Sequence, residues 1–336
     1  MTSTQVLATD GLTKYYGDVR GIEDLTFAVE EGEIFGFLGP NGAGKTTTIR
    51  TLMGFMRPTA GTGTVLGRDV TDRAALREAK ADVGYLPGDP AFDDDVIGDR
   101  FLDYHADLKG DSRRGEMESL FDPPLEREIG EYSRGNRQML GLIQAFMHDP
   151  DLVVMDEPTS GLDPLKQERF NDFLREEVDR GTTIFMSSHI LSEVRKVCDR
   201  VGIIREGHLV ELEDVGDLLT RSGRLVRVDV AEDVTRADFA LDGVHDVAVD
   251  GSVRFMFTGN YDALLDHLGS YTVTDLEITE APLEDVFMRF YGEGEDRDDG
   301  DSDRAGDGSA VATGAASRAA RETTSGATGG SDEGAN

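Results

Sequence analysis

The chain of 336 residues is long enough for one large domain or two ordinary ones, each with an apolar core. Its formal charge is −33, of which residues 293–336 carry only −7, so the part expected to fold is itself strongly acidic. Concentrated salt screens such self-repulsion, which points to adaptation to the salt-rich cytoplasm of a halophile, and the lack of a basic patch disfavours nucleic acid as a partner.

The N-terminal MTSTQVLATDG lacks the charged-then-apolar layout of a signal peptide, and no apolar run nears the ~20 residues that a membrane-spanning helix needs. A cytoplasmic location is therefore expected, with any membrane contact made through a partner. Along the chain, EIFGFLG (33–39), DVGYLPG (82–88), DLVVMDEP (151–158), TTIFMSS (182–188) and RVGIIREG (200–207) read as buried strands, with helical patterns between them. This alternation predicts an α/β fold on a mostly parallel sheet within residues 5–219. Residues 89–149 read as mainly helical, broken at GDSRRGE and FDPPLE, and are expected to form a subdomain beside the sheet. Cys198 is the only cysteine, which excludes an internal disulfide; it falls in a predicted helix beside Val197 and reads as packing.

From residue 220 the pattern changes. RLVRVDV, a short helical piece near Thr235–Leu241, VHDVAVD, SVRFMFTG, YDALLDHLG and TVTDLEIT follow one another in β-α-β-β-α-β order. That order predicts a small split-βαβ (α+β) domain over 220–292, closed by the helix LEDVFMRFYG. Residues 293–336 are Gly, Ala, Ser, Thr and Asp with almost no apolar anchors, so disorder is expected there.

The chemistry begins at GPNGAGKTTT. Gly39, Gly44, Lys45 and Thr46 fit the pattern G-x-x-x-x-G-K-[ST], with Pro40, Asn41, Gly42 and Ala43 filling the loop, after a strand and before a helix. Glycines let backbone N–H groups approach phosphate oxygens, and the helix N-terminus adds its positive dipole end. Lys45 is placed to reach the β- and γ-phosphates, and Thr46 to hold Mg²⁺. In DLVVMDEP an apolar strand ends in two carboxylates, which are costly to bury unless they meet cations. Asp156 suits the Mg²⁺ shell and Glu157 suits polarising the attacking water, so the two motifs together define a P-loop nucleotide hydrolase. A second anion site is suggested by YSRGNRQ, which sets Ser133 and Gly135 just before the helical run MLGLIQAFM.

Taken in order, the phosphate loop, YSRGNRQ, DEPTSGLDP and His189 after TTIFMSS resemble the ABC transporter ATPase family over residues 6–219. The resemblance implies that Tyr16 of KYYG, in preference to Tyr15, lies against adenine, and that Thr47 contacts the α-phosphate. It implies that Ser133 and Gly135 touch the γ-phosphate of ATP bound to the opposite subunit of a homodimer, with Asp163 at the interface and His189 sensing the γ-phosphate. A separate membrane permease would use the motion, docking on the helical region. Two departures stand out. Gly88 takes the place of the family's usual glutamine, with Asp89 beside it; Arg134 and Asn136 replace a glycine and the glutamine of the usual signature. This signature, with the LEDVF helix, is similar to the branch serving ABC-2 type export. The alternative, a soluble ATPase of the same fold acting on DNA or ribosomes, lacks a heptad insertion or a second such domain here, and no Asn-Lys-x-Asp guanine motif is present.

Overall fold

The structure, a computed structural model, describes residues 4–280. Two long strands, β1 (Gln5–Tyr16) and β2 (Val19–Glu30), open it, and β3 (Ile34–Leu38) leads into α1 (Lys45–Leu52). Strands β4 (Ala60–Val65) and β5 (Arg68–Asp69), helix α2 (Arg73–Ala79) and strand β6 (Val83–Leu86) follow. Helices α3 (Gly98–Lys109), α4 (Arg114–Phe121) and α5 (Arg134–Phe146) come next, then β7 (Leu152–Asp156), α6 (Pro164–Asp179), β8 (Thr183–Ser188) and α7 (Leu191–Val197). Strands β9 (Arg200–Arg205) and β10 (His208–Asp214) and helix α8 (Val215–Ser222) lead to β11 (Arg224–Val230), β12 (Val244–Asp250), β13 (Ser252–Phe257), α9 (Tyr261–Leu268) and β14 (Val273–Glu280).

The five expected buried strands assemble into one six-stranded sheet in the order β10-β9-β3-β8-β7-β6, parallel except for the β9–β10 hairpin. Because successive side chains point to opposite faces, each strand feeds two cores. Ile34, Leu38, Val153, Met155, Ile184 and Met186 face α5, α6 and α7, whereas Phe35, Phe37, Leu152, Val154 and Phe185 face the other way. On that second face sits an antiparallel sheet, β2-β1-β4-β5, which the sequence reading did not anticipate. Phe27 of β2 seals the junction, its ring 5.4 Å from Phe37 and 5.7 Å from Phe35. The phosphate loop between β3 and α1 is thus backed by sheets on two sides.

Cys198 caps the C-terminal end of α7 and is not within a helix. A Cβ on Gly36 of β3 would come within 2.9 Å of its sulfur and 2.8 Å of a Val194 methyl, so the thiol and Val194 together pack that helix end against the sheet. Burial pushes the thiol well above its ordinary range, as befits packing. Arg113, at the N-terminal end of α4, makes a bidentate pair with Glu177 of α6 at 2.5 and 2.6 Å, both side chains buried.

Strands β11 to β14 form a separate antiparallel sheet in the order β12-β13-β11-β14. With β13 inserted between β11 and β12, this is the split-βαβ arrangement, but a short 3₁₀ turn, Arg236–Phe239, stands where the first helix was expected. Val226, Val228, Phe239, Phe255, Phe257 and Leu264 make its own core, while Met256 and Leu225 join the core that includes Val215 and Leu218 of α8. The expected closing helix and the acidic tail lie outside the described residues.

Candidate functional site

Between β3 and α1 the chain turns through Gly42 at φ 83° and Gly44 at φ 114°, conformations that glycine adopts without strain. Gly44 is also closely hemmed, since a Cβ there would lie 2.9 Å from the Gly21 carbonyl oxygen and 2.7 Å from an Ile22 methyl. A Cβ on Gly39 would meet the Ile204 carbonyl oxygen at 2.4 Å. The loop can take this path only with glycines at these points. The first amides of α1 have no carbonyl within the helix to meet, so they form a donor nest.

Lys45 opens α1 and is 5% exposed. Its Nζ donates to the carbonyls of Gly39 (2.7 Å) and Pro40 (3.2 Å) and lies 3.5 Å from Glu157 Oε1. Burial lowers its pKa from the ordinary lysine value, while the Glu157 and Asp156 carboxylates act in the opposite direction. Thr46 Oγ1 donates to Asp156 Oδ2 at 2.7 Å, and Ser187 Oγ donates to Oδ1 at 2.5 Å. Asp156 ends β7 almost fully buried, and the chain then turns left-handed at Glu157, φ 51°. The Glu157 amide donates to the carbonyl and hydroxyl of Ser187, so β8 fixes this bend. His189 Nδ1 stands 3.1 Å from Glu157 Oε1. Lys45, Thr46, Asp156, Glu157 and His189, drawn from three segments, therefore converge at the carboxyl ends of adjacent parallel strands.

An open groove of about 310 Å³ runs along this cluster, lined by Tyr16, Val19, Arg20, Gly21, Asn41, Gly42, Gly44, Lys45, Thr46, Thr47 and Glu157. Tyr16 is half-exposed at its mouth, with its hydroxyl 3.4 Å from Thr47 Oγ1. Tyr15 is not among the lining residues, and its hydroxyl donates to Glu23 at 2.8 Å. Gly88 abuts the same cluster: a Cβ there would lie 3.4 Å from Asp156 Oδ2.

Ser133, Gly135 and Asp163 do not line the groove. Ser133 caps α5, accepting from the Asn136 amide at 3.2 Å, and Asp163 caps α6, accepting from the Lys166 amide at 3.0 Å. Gly135 lies within the first turn of α5, not ahead of the helix as the sequence suggested. Three contributors went unnoticed in the sequence: Ser187, Gln138 and Glu193. Glu193 is buried on α7 and accepts from Thr159 at 2.7 Å and Ser188 at 2.8 Å, bracing the Glu157 loop against the His189 loop. An acid on the inward face of a short helix just after His189 was the available signal.

The groove, its glycine-rich loop and the Lys45–Glu157–His189 cluster lie together at the carboxyl ends of parallel strands, on an α/β scaffold. Residues 22–160 match the family model described as ABC transporter. The chain is 33% identical over 306 residues to the bacitracin transport ATP-binding protein BcrA of Enterococcus faecalis, covering 88% of this chain and 99% of that one. It is 33% identical to the Nod factor export ATP-binding protein I of Burkholderia lata, over 83% of this chain and 94% of the relative. A solved ATP-binding subunit of an ABC transporter superposes with a TM-score of 0.60 at 28% identity, over 64% of this chain and 92% of that one. The chain belongs to the ATP-binding proteins of ABC transporters. It is an ATP-binding, ATP-hydrolysing subunit, of a family whose members work as dimers with separate membrane permeases.

Proposed function

We propose that this chain is the ATPase of an ABC-2 type exporter, peripherally held on the cytoplasmic face of the membrane by its permease and working in concentrated salt. In this reading residues 5–219 form the cassette, residues 220–292 an accessory domain and residues 293–336 an acidic tail. The observation that carries the ATPase assignment is the convergence of Lys45, Glu157 and His189 on one acid–base cluster beside the loop between β3 and α1. The printed names of the relatives, one in bacitracin transport and one in Nod factor export, favour export over action on DNA or ribosomes. No described helix is long and apolar enough to cross a membrane, so the path for the cargo is assigned to the partner.

The Thr46 hydroxyl and the Asp156 carboxylate, 2.7 Å apart, offer oxygen donors only, and among the described residues no group of three or more His, Cys, Asp or Glu side chains is placed to hold a metal ion by itself. That sparse set fits Mg²⁺, which keeps waters and takes its remaining ligands from phosphates; when bound it would neutralise charge on the β- and γ-phosphates. Lys45 exchanges its carbonyl partners for phosphate oxygens, and Tyr16 stacks on adenine while Thr47 meets the α-phosphate. Glu157 accepts a proton from the attacking water, and His189 holds the Glu157 carboxylate in place and meets the γ-phosphate. Ser133, Gly135 and Asp163 complete the site of a second copy.

Glu157→Gln tests this assignment. Its turnover should fall ~10²–10⁴-fold, the span of general-base catalysis, while ATP binding through Lys45 persists. The ATP-bound dimer should then accumulate in size-exclusion chromatography. Near-normal hydrolysis by this variant would remove Glu157 from its role.

A further inference from the structure

The start of α5 and the loop leaving Glu157 meet in two hydrogen bonds and two close approaches. Arg134 Nη2 donates to Ser160 Oγ at 2.6 Å. Its aliphatic stem lies over Gly161, where a Cβ would come within 3.1 Å of Arg134 Cγ, and a Cβ on Gly135 would meet the Gly161 carbonyl oxygen at 2.9 Å. One turn further, the buried Gln138 donates Nε2 to the Pro158 carbonyl at 2.8 Å. The opposite side of that loop is held by Thr159 on Glu193. The two segments can therefore shift only together, or by breaking these contacts.

Arg134 is exposed, whereas Gln138, Pro158 and Thr159 are buried. In a chain with 67 acidic residues its guanidinium is spent on a neutral hydroxyl. A planar fork holding a serine across a backbone-to-backbone approach fixes geometry more than it supplies stability. On the reading proposed above, which this inference rests on, Ser133 serves the nucleotide of the partner subunit while Glu157 serves the chain's own. The turn carrying one and the loop carrying the other meet at Arg134.

We propose that Arg134, through Ser160, is a positioning residue that couples the two composite ATP sites of the dimer. Docking of ATP against Ser133 at one site moves the 158–161 loop and so sets Glu157 at the other site.

The test is the ATP dependence of hydrolysis by the full chain, for wild type, Arg134→Ala, Arg134→Lys, Ser160→Ala and the Arg134→Ala/Ser160→Ala double variant. Wild type should show a Hill coefficient approaching about two, the number of sites, and Arg134→Ala should lower it toward about one. Half-saturation should move less than about threefold, because Ser133 and its cap remain. Arg134→Lys, which keeps a donor, should restore part of the cooperativity; Ser160→Ala should match Arg134→Ala, and the double variant should be no worse than either. Unchanged cooperativity in Arg134→Ala, effects that add in the double variant, or a non-cooperative wild type would each overturn the coupling. ATP-driven dimerisation of Glu157→Gln reads the underlying reading separately. If that dimer forms while Arg134→Ala stays cooperative, only the coupling falls; if no dimer forms, the shared-site reading falls first.

Discussion

Lys109 at the end of α3 shows how one residue can make stability depend on pH. Its Nζ donates to the Val83 carbonyl at 2.6 Å, on the free edge of β6. Burial, together with the neighbouring Lys80, brings its pKa down to about 8, with Asp82 acting the other way. Nearby, burial and the charge of Lys109 hold His148 down to about 4, and His105 is likewise lowered. A lysine whose folded-state pKa lies below its unfolded value costs stability while charged in both states. The cost is present in full below pH ~8 and is relieved as pH rises towards ~10.4, because the unfolded chain binds more protons across that window. Lys109→Met removes the titration, so its melting temperature relative to wild type should fall as pH goes from about 7 to about 10. A constant difference between the two melting curves would show that Lys109 carries no such cost. The residues of the site divide in the same concrete way by legibility. Lys45, Thr46, Asp156 and Glu157 could be read from motifs because phosphate chemistry dictates residue type and spacing, whereas Glu193 acts through buried hydrogen bonds to Thr159 and Ser188 that no local pattern encodes.

Helix α4 and helix α6 are tied by Arg113 and Glu177, whose side chains are 5% and 1% exposed. Removing one member of such a pair leaves a buried charge with an incomplete shell, here supported only by the more exposed Glu116 and Asp149. Glu177→Met should therefore cost about 3–5 kcal/mol in denaturant unfolding, while the double change Arg113→Met/Glu177→Met should recover most of that loss. A double variant as unstable as the single one would mean that the pair supplies net stability of its own. The strands differ from one another in how openly they announced themselves. Strands β3, β7 and β8 are buried on both faces and read as unbroken apolar runs. Strands β1 and β2 are half-exposed, and register shifts between Thr9 and Leu12 and between Leu12 and Lys14 interrupt their alternation. Gly11 at φ 60° and Asp24 at φ 53° mark the irregularity, and a period-two signal does not survive it. The 3₁₀ turn at Arg236–Phe239 stood where a helix was expected because four residues close too few bonds to sustain one.

At the scale of the whole molecule, a charge of −33 on 336 residues makes compactness depend on screening. The melting temperature should fall as KCl is diluted from molar to 0.1 M and the Debye length grows from ~3 Å to ~10 Å; an unchanged value would remove the salt-adaptation proposal. The larger question is whether two copies share their sites, since Ser133, Gly135 and Asp163 lie off the groove that holds Lys45. Two variants, each inactive alone, can decide it. Lys45→Ala loses its own phosphate loop but still offers Ser133, whereas Ser133→Arg keeps its loop and offers a blocked signature. In each homodimer both sites contain one broken half. In the mixed dimer one site gathers both defects and the other is intact. Random mixing makes about half the dimers mixed, each with one good site of two, so about a quarter of wild-type ATPase should return if the sites act independently. Coupling through Arg134 would pull that figure lower without abolishing it. Tagged copies of the two variants, purified together, report whether mixed dimers assemble. Mixed dimers that assemble but neither close on ATP nor hydrolyse it would count against shared sites, and full activity from Ser133→Arg alone would end the proposal. Recovered activity in the mixture, absent from either variant by itself, would place Ser133 of one subunit against the nucleotide held by Lys45 of the other.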